Sequence, residues 1–231
     1  MFSIIIPTYN EADQIAKTIC TTHAANGKHE AEIIVVDGGS TDDTVKIAQD
    51  CGATVVKCER KSRSAQMNKG ALFAKYKLLY FLHADSFPPK DFTTQILNAC
   101  NKGFTSGCFR LAFDYSHWFL KSNAWLTKFN VNAVRFGDQS LFATKDVFNK
   151  SGGFKEGLLM MEDQEIIHRI KKHGKFTVMN DYVITSARKY IENGVYRMQG
   201  IFYRIWAMYY LGYSQKQMLK VHTRLIRKHK L

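Results

Sequence analysis

Short runs of β-branched and large apolar residues alternate with helix-period segments through the first hundred positions. Phe2–Ile6, Ile33–Val36, Ala53–Lys57 and Leu78–Leu82 read as strands. Between them lie three predicted helices: Ala12–Ala25, opened by Asn10 with Asp13 three residues on, then Thr41–Gln49 and Ser64–Lys75. Pro88 and Pro89 predict the start of a fourth helix reaching Cys100, because proline suits a first helical turn. Ile33–Val36 is unbroken apolar sequence, as a strand covered on both faces requires. Strands alternating with helices predict an α/β protein whose central sheet is mostly parallel and flanked by helices.

Beyond Phe104 the pattern loosens. It predicts a strand over Thr105–Phe113, an aromatic helix from about His117 to Val134, a helix from Glu162 to His173, and short strands near Leu141 and Phe176. Two closing helices, Val195–Leu211 and Gln215–Lys228, are separated by the break Gly212–Ser214. The expected organisation is one domain over 1–190, divided at 103/104, followed by a helical extension over 191–231. No internal repeat or flexible linker interrupts it.

Composition adds little until the charge is located. The formal net charge of +13 suggests a polyanion partner, but 14 Lys and Arg against 3 Asp and Glu fall between Gln164 and Leu231. The first 163 residues are nearly neutral. Such a tail suits an anionic substrate, an anionic lipid surface or a phosphate backbone, and a plain solvated face explains it equally well. The five cysteines, Cys20, Cys51, Cys58, Cys100 and Cys108, lack paired spacings and read as reduced core thiols. Met1 is followed at once by strand-like sequence, so export is not expected and the expected location is cytoplasmic. No apolar run approaches the roughly 20 residues of a spanning helix.

In an open parallel sheet, ligands bind beyond the carboxyl ends of the strands. The first predicted strand is followed by Pro7-Thr8-Tyr9-Asn10-Glu11, the second by Asp37-Gly38-Gly39-Ser40-Thr41-Asp42, and the fourth by His83-Ala84-Asp85-Ser86. The first loop is not the glycine-rich dinucleotide turn and no phosphate loop occurs in the sequence, which counts against hydride-transfer and P-loop chemistry. A tight turn with a helix cap is enough to explain the Asp37 cluster, although a strand-end Asp can also accept from a base N–H or a ribose hydroxyl. Asp85 either caps the turn before Pro88 or holds a divalent cation against phosphate oxygens. Glu162 and Asp163 suit a helix's first turn, where the dipole favours acids, and equally suit a general base for a hydroxyl nucleophile.

In order and spacing, these segments resemble the family 2 glycosyltransferases over roughly residues 2–190. The resemblance implies a single nucleotide-sugar-binding domain of glycosyltransferase A type, with 1–103 as the nucleotide half and 104–190 as the acceptor side. It implies inverting transfer from a nucleoside diphosphate sugar, a UDP-sugar favoured, to an unidentified hydroxyl acceptor with Mg or Mn. It places Pro7, Thr8, Tyr9 and Glu11 against base and ribose, Asp37 on the nucleoside, and Arg63 near the donor diphosphate. Asp85 matches the last acid of the Asp-x-Asp metal motif, and Asp163, with Glu162 beside it, matches the catalytic base. Asp138 and Gln139 match an acceptor-side loop, which a simple turn explains nearly as well. His83 stands where the family commonly has an acid, removing a charge from the metal site. The Gln-x-x-Arg-Trp motif of processive members is absent, with Ser186–Tyr190 in its place, so single transfers are implied. His-Ala-Asp, Gly-Asp-Gln and Met-Glu-Asp together resemble a small bacterial subgroup, sometimes linked to arsenosugar formation.

One rival is a catalytically inactive nucleotide-sugar-binding protein whose basic tail docks membrane or nucleic acid. The presence of both Asp85 and Asp163 counts against it, and nucleic acid is the less favoured partner. A second, a nucleotidyltransferase, requires a basic glycine-rich loop where Pro7–Ala12 stands. The aromatic and basic residues of 195–231 leave peripheral membrane contact open, while covering a core is the commoner role of such helices and the favoured reading.

Overall fold

The computed structural model describes residues 1–135 and 137–227. Its eight described strands are β1 (Phe2–Thr8), β2 (Ala31–Asp37), β3 (Thr54–Lys57), β4 (Leu78–Phe81), β5 (Ser86–Phe87), β6 (Ser106–Phe113), β7 (Leu141–Thr144) and β8 (Phe176–Thr185). They form one sheet in the order β3-β2-β1-β4-β7-β6-β8-β5. The chain moves outward from β1 through α1 (Ala12–Ala25) to β2 and through α2 (Thr44–Asp50) to β3. It then returns through α3 (Arg63–Phe73) to place β4 on the far side of β1. That reversal opens a crevice beside the carboxyl end of β1, between the ends of β2 and β4.

The first four strands pair in parallel, as expected. Past β4 the sheet is mixed: β4–β7, β7–β6 and β8–β5 are antiparallel, and β6–β8 is parallel. Side chains of β1 alternate between two cores, with Ile5 in one and Ile4 and Ile6 in the other. Helix α3 lies so close to β1 that a Cβ on Gly70 would sit 2.4 Å from Ile5 Cγ2.

Several predicted elements shift. Pro88 and Pro89 precede the fourth helix, α4 (Phe92–Asn101), instead of forming its first turn, because Asp91 takes a left-handed φ of 53° at the cap. The aromatic helix expected to reach Val134 is α5 (Trp118–Leu126). It stops because Thr127 Oγ1 donates to Ala124 O (2.6 Å) and accepts from Leu111 N (3.0 Å), fastening its end to β6, and a 3-10 turn follows at Asn132–Val134. Two short helices had no expectation, α6 (Lys145–Lys150) and α8 (Arg188–Asn193). Helix α7 spans Glu162–Ile170, ending before His173. The last two are α9 (Val195–Tyr210) and α10 (Gln215–Leu225), and the end expected at Lys228 lies outside the described residues.

The cysteines are free, but Cys20 is exposed, not a core residue. Among the described residues no helix is long and apolar enough to cross a membrane. The expected boundary near 190 falls within α8, and Ile201, Ile205, Met208 and Met218 of the helices beyond it pack with Met160 and Met161.

Candidate active site

At the β1–β2 end of the crevice the polar groups bond to one another. Asp37, 3% exposed, accepts from Gly39 N (3.0 Å) and Ser40 N (3.1 Å), so its carboxylate holds its own loop in shape. Gln66 of α3 donates to Thr8 O (2.7 Å) and Val36 O (2.9 Å), joining the ends of β1 and β2. Gly38 makes this possible, since a Cβ there would lie 2.7 Å from Gln66 Nε2. Pro7 and Thr8 are buried in β1, and Tyr9 beyond it carries Lys61 over its ring at 4.7 Å. The Glu11 backbone N–H donates to Thr44 Oγ1 (2.8 Å), and its carboxylate pairs with Arg188 Nη2 at 3.2 Å.

At the other end, charged groups from four segments meet. Arg63, opening α3, lies 2.7 Å from Glu162 Oε1 in the first turn of α7. That approach is off a hydrogen-bond direction, so both oxygens of Glu162, 1% exposed, lack a donor. A buried carboxylate in that condition calls for a further partner. The Arg63 guanidinium is held more firmly protonated than usual, first by Glu162 and then by Asp163, Asp138 and Asp85. Burial and then the Glu162 charge push the half-buried Asp163 carboxyl up to about 7.

His83 Nδ1 lies 2.9 Å from Asp138 Oδ1. Burial works against charge on both groups, but their pairing prevails, raising the imidazole pKa and holding the carboxyl well below its usual range. The histidine standing in place of an acid is thus the partner of the acid two segments away. Gln139 turns inward: its amide donates to Phe109 O (3.0 Å), leaving Asp138 as the residue of this turn that faces the charge cluster. Asp85 is half-buried at the turn after β4, and its carbonyl accepts from Ser186 N (3.1 Å). The neighbouring Ser86 Oγ donates to Thr185 Oγ1 (3.0 Å), and Asp114 Oδ1 accepts from Ala187 N (2.7 Å). The strand edge at 185–188 therefore ties the Asp85 turn, β6 and Glu11 together.

Among the described residues no set of three or more His, Cys, Asp or Glu side chains is arranged to hold a metal ion. Asp85 nevertheless suits a hard cation that takes one protein carboxylate and completes its shell with phosphate oxygens and water. Sequence reasoning missed Gln66, the Arg188–Glu11 pair, and Lys189, whose charge helps His83 keep the Asp138 carboxyl ionised. For Gln66 the available signal was its place one helical turn after Arg63 in a segment otherwise read as phosphate-facing.

The sequence model of the family described as Glycosyl transferase family 2 matches residues 3–156, more than half of the chain. An uncharacterized glycosyltransferase of Mycobacterium tuberculosis is 28% identical over 176 residues, covering 72% of this chain and 67% of its own length. Glycosyltransferase AglJ of Haloferax volcanii is 49% identical over 53 residues, 23% of this chain and 16% of its own. Among solved structures, the mannosyltransferase PcManGT from Pyrobaculum calidifontis, in complex with GDP-Man and Mn2+, superposes with a TM-score of 0.72 at 16% identity, covering 97% of this chain and 69% of that one. Residues 1–349 of S. aureus TarS, in complex with UDP-GlcNAc, superpose at 0.67 and 15% identity, covering 97% and 71%. At these identities the likeness speaks to the fold, a mixed sheet of glycosyltransferase A type flanked by helices.

Proposed function

The chain belongs to glycosyl transferase family 2, and on that premise we propose an inverting, metal-assisted transfer of a sugar from a nucleoside diphosphate sugar to a hydroxyl acceptor. The observation that carries this reading is the meeting of Asp163 with Glu162, Asp138, Asp85, Arg63 and His83 at the crevice. A half-buried carboxyl titrating near neutrality suits a general base at cellular pH. In the proposed mechanism, Asp163 takes the acceptor hydroxyl's proton as its oxygen attacks the anomeric carbon, opposite the departing diphosphate. Arg63, paired with Glu162, would neutralise that leaving group. Mg or Mn held by Asp85 would supply further positive charge to the diphosphate.

Asp37 enters this reading through its loop, whose ordered Gly39 and Ser40 flank the place proposed for base and ribose beside Tyr9. Glu11, fastened to Arg188, would border the same crevice, and Gln139, buried and fastened to β6, would support it from behind. GDP-Man and UDP-GlcNAc bound to two fold neighbours support a nucleotide-sugar donor. They differ in base, so a UDP-sugar remains the sequence's own proposal, as do the small bacterial subgroup, a cytoplasmic site and peripheral attachment through 195–231.

The test follows nucleoside diphosphate release from UDP-glucose, UDP-GlcNAc and GDP-mannose with Mg or Mn, alongside thermal shift for donor binding. The expected outcome is release by the wild type from at least one donor. Wild-type binding without release would support the inactive binding protein instead, and neither binding nor release with any donor would overturn both readings.

A further inference from the structure

We propose that the hairpin of α9 and α10 is a docking surface for an anionic lipid bilayer, centred on the groove between the two helices. The inference deepens the peripheral attachment that residues 195–231 leave open and does not depend on glycosyl transfer.

Helix α9 has two unlike faces. Met198, Ile201, Ile205 and Met208 are buried, while Tyr196, Tyr203, Arg204 and Tyr210 stand exposed. The groove has a volume of about 420 Å³, and its lining includes Arg204 and Lys220 with the apolar Ala207, Met208, Leu211 and Val221. No described carboxylate lies within ion-pair distance of Arg204 or Lys220. At the tip, Leu211 is 74% exposed and Tyr213 47% exposed, and both also line the groove. A cation-flanked apolar trough with an aliphatic and aromatic tip matches a phospholipid, in which an anionic headgroup sits above acyl chain.

Charge favours the same occupant. Over residues 191–227 there is one acid, Glu192, against Arg197, Arg204, Lys216, Lys220, Arg224 and Arg227. Lys216, Lys220, Arg224 and Arg227 are all exposed, at roughly helical spacing. A nucleic acid would meet these cations but would leave the groove walls and Leu211 without an apolar partner. The surface also reaches the catalytic loop: Gln215, two residues past Tyr213, accepts from Leu159 N and Met160 N (3.0 Å each). A docked hairpin thereby fixes the segment leading to Glu162 and Asp163 at the bilayer surface.

Flotation of the full chain with vesicles of phosphatidylcholine, with and without phosphatidylglycerol, tests this. The wild type is expected to float only with the anionic vesicles and to be released by high salt. The pair Arg204→Gln and Lys220→Gln should weaken partitioning by about 25-fold, since each basic side chain near such a surface accounts for roughly fivefold. Leu211→Ser should weaken it with the charge unchanged. Lys46→Gln with Lys102→Gln, exposed positions on and beside helices far from the hairpin in sequence, should leave it intact. Circular dichroism checks that each variant is folded. No flotation of the wild type, an equal loss in the Lys46 and Lys102 pair, or tighter binding to a single-stranded RNA than to anionic vesicles would overturn the proposal. Donor binding by thermal shift is read separately, so either proposal fails without the other.

Discussion

The two ends of the crevice differ in how their polar groups are satisfied. Where β1 and β2 end, Asp37, Gln66, Asn10 and Thr44 bond to the protein's own backbone and side chains, so the loops hold their shape before any ligand arrives. Around Asp163, carboxylates crowd one another, Glu162 keeps two buried oxygens without donors, and one titration is displaced toward neutrality. The first region is organised for fit and the second for charge. Substitutions in the second should therefore cost the most reactivity, and those in the first should act on shape and stability with little effect on turnover.

Asp163→Asn is the sharpest way to break that division. In the proposed mechanism it removes a proton acceptor, and turnover should fall by about 10²–10⁴-fold with donor affinity nearly unchanged. In the wild type, turnover should rise with pH through about 7 as Asp163 ionises. Without added metal, thermal stability should move the other way. The folded pKa is raised above that of an ordinary aspartate, so the protonated form is favoured in the native state, and the stability this gives is lost as pH climbs through about 7. The asparagine variant should flatten both trends. A wild-type rate indifferent to pH between 5 and 8 would show that Asp163 is not the base.

Arg63→Met comes next. It strands Glu162 in a nearly dry position, and a loss of about 2–3 kcal/mol is expected by urea denaturation, reduced from a fully buried pair because Arg63 is 43% exposed. Gln66→Ala should cost about 1–2 kcal/mol by removing the amide that donates to both Val36 O and Thr8 O, the latter keeping its bond from Gly38 N. Its turnover should fall much less than that of Asp163→Asn, and an equal loss would erase the contrast between the regions. Glu11→Gln is the mildest. It weakens a partly exposed pair with Arg188 and should change stability by under about 1 kcal/mol, measured by thermal melting.

The front of the molecule was legible because each strand announces itself locally. Ile33–Val36 and Leu78–Leu82 are apolar runs that end at polar clusters, and their alternation with helix-period segments is what marks a parallel sheet. The back was legible only in pieces. Nothing near Ser86 or Phe87 signals a two-residue strand, because its partner lies at Ile184 and Thr185. Thr127 ends α5 through a bond to Leu111, which no helical periodicity contains. The same holds for His83. Its neighbours suggested a weakened metal site, while its partner, Asp138, sits in a motif read separately as an acceptor loop. What stayed hidden was in each case a pairing between distant segments.

Those stitches also set a timetable. Asp85 O meets Ser186 N, Ser86 meets Thr185 across 99 positions, and Glu11 meets Arg188 across 177. A chain leaving the ribosome can form β1 to β4 with residues already made. The turn carrying Asp85 must wait for the stretch around Thr185, a lag on the order of 5–20 s at ordinary elongation rates. During that interval the nascent chain would display a nearly finished nucleotide-side sheet with an unclosed border, so the polypeptide is at greatest risk of misassembly just before β8 emerges.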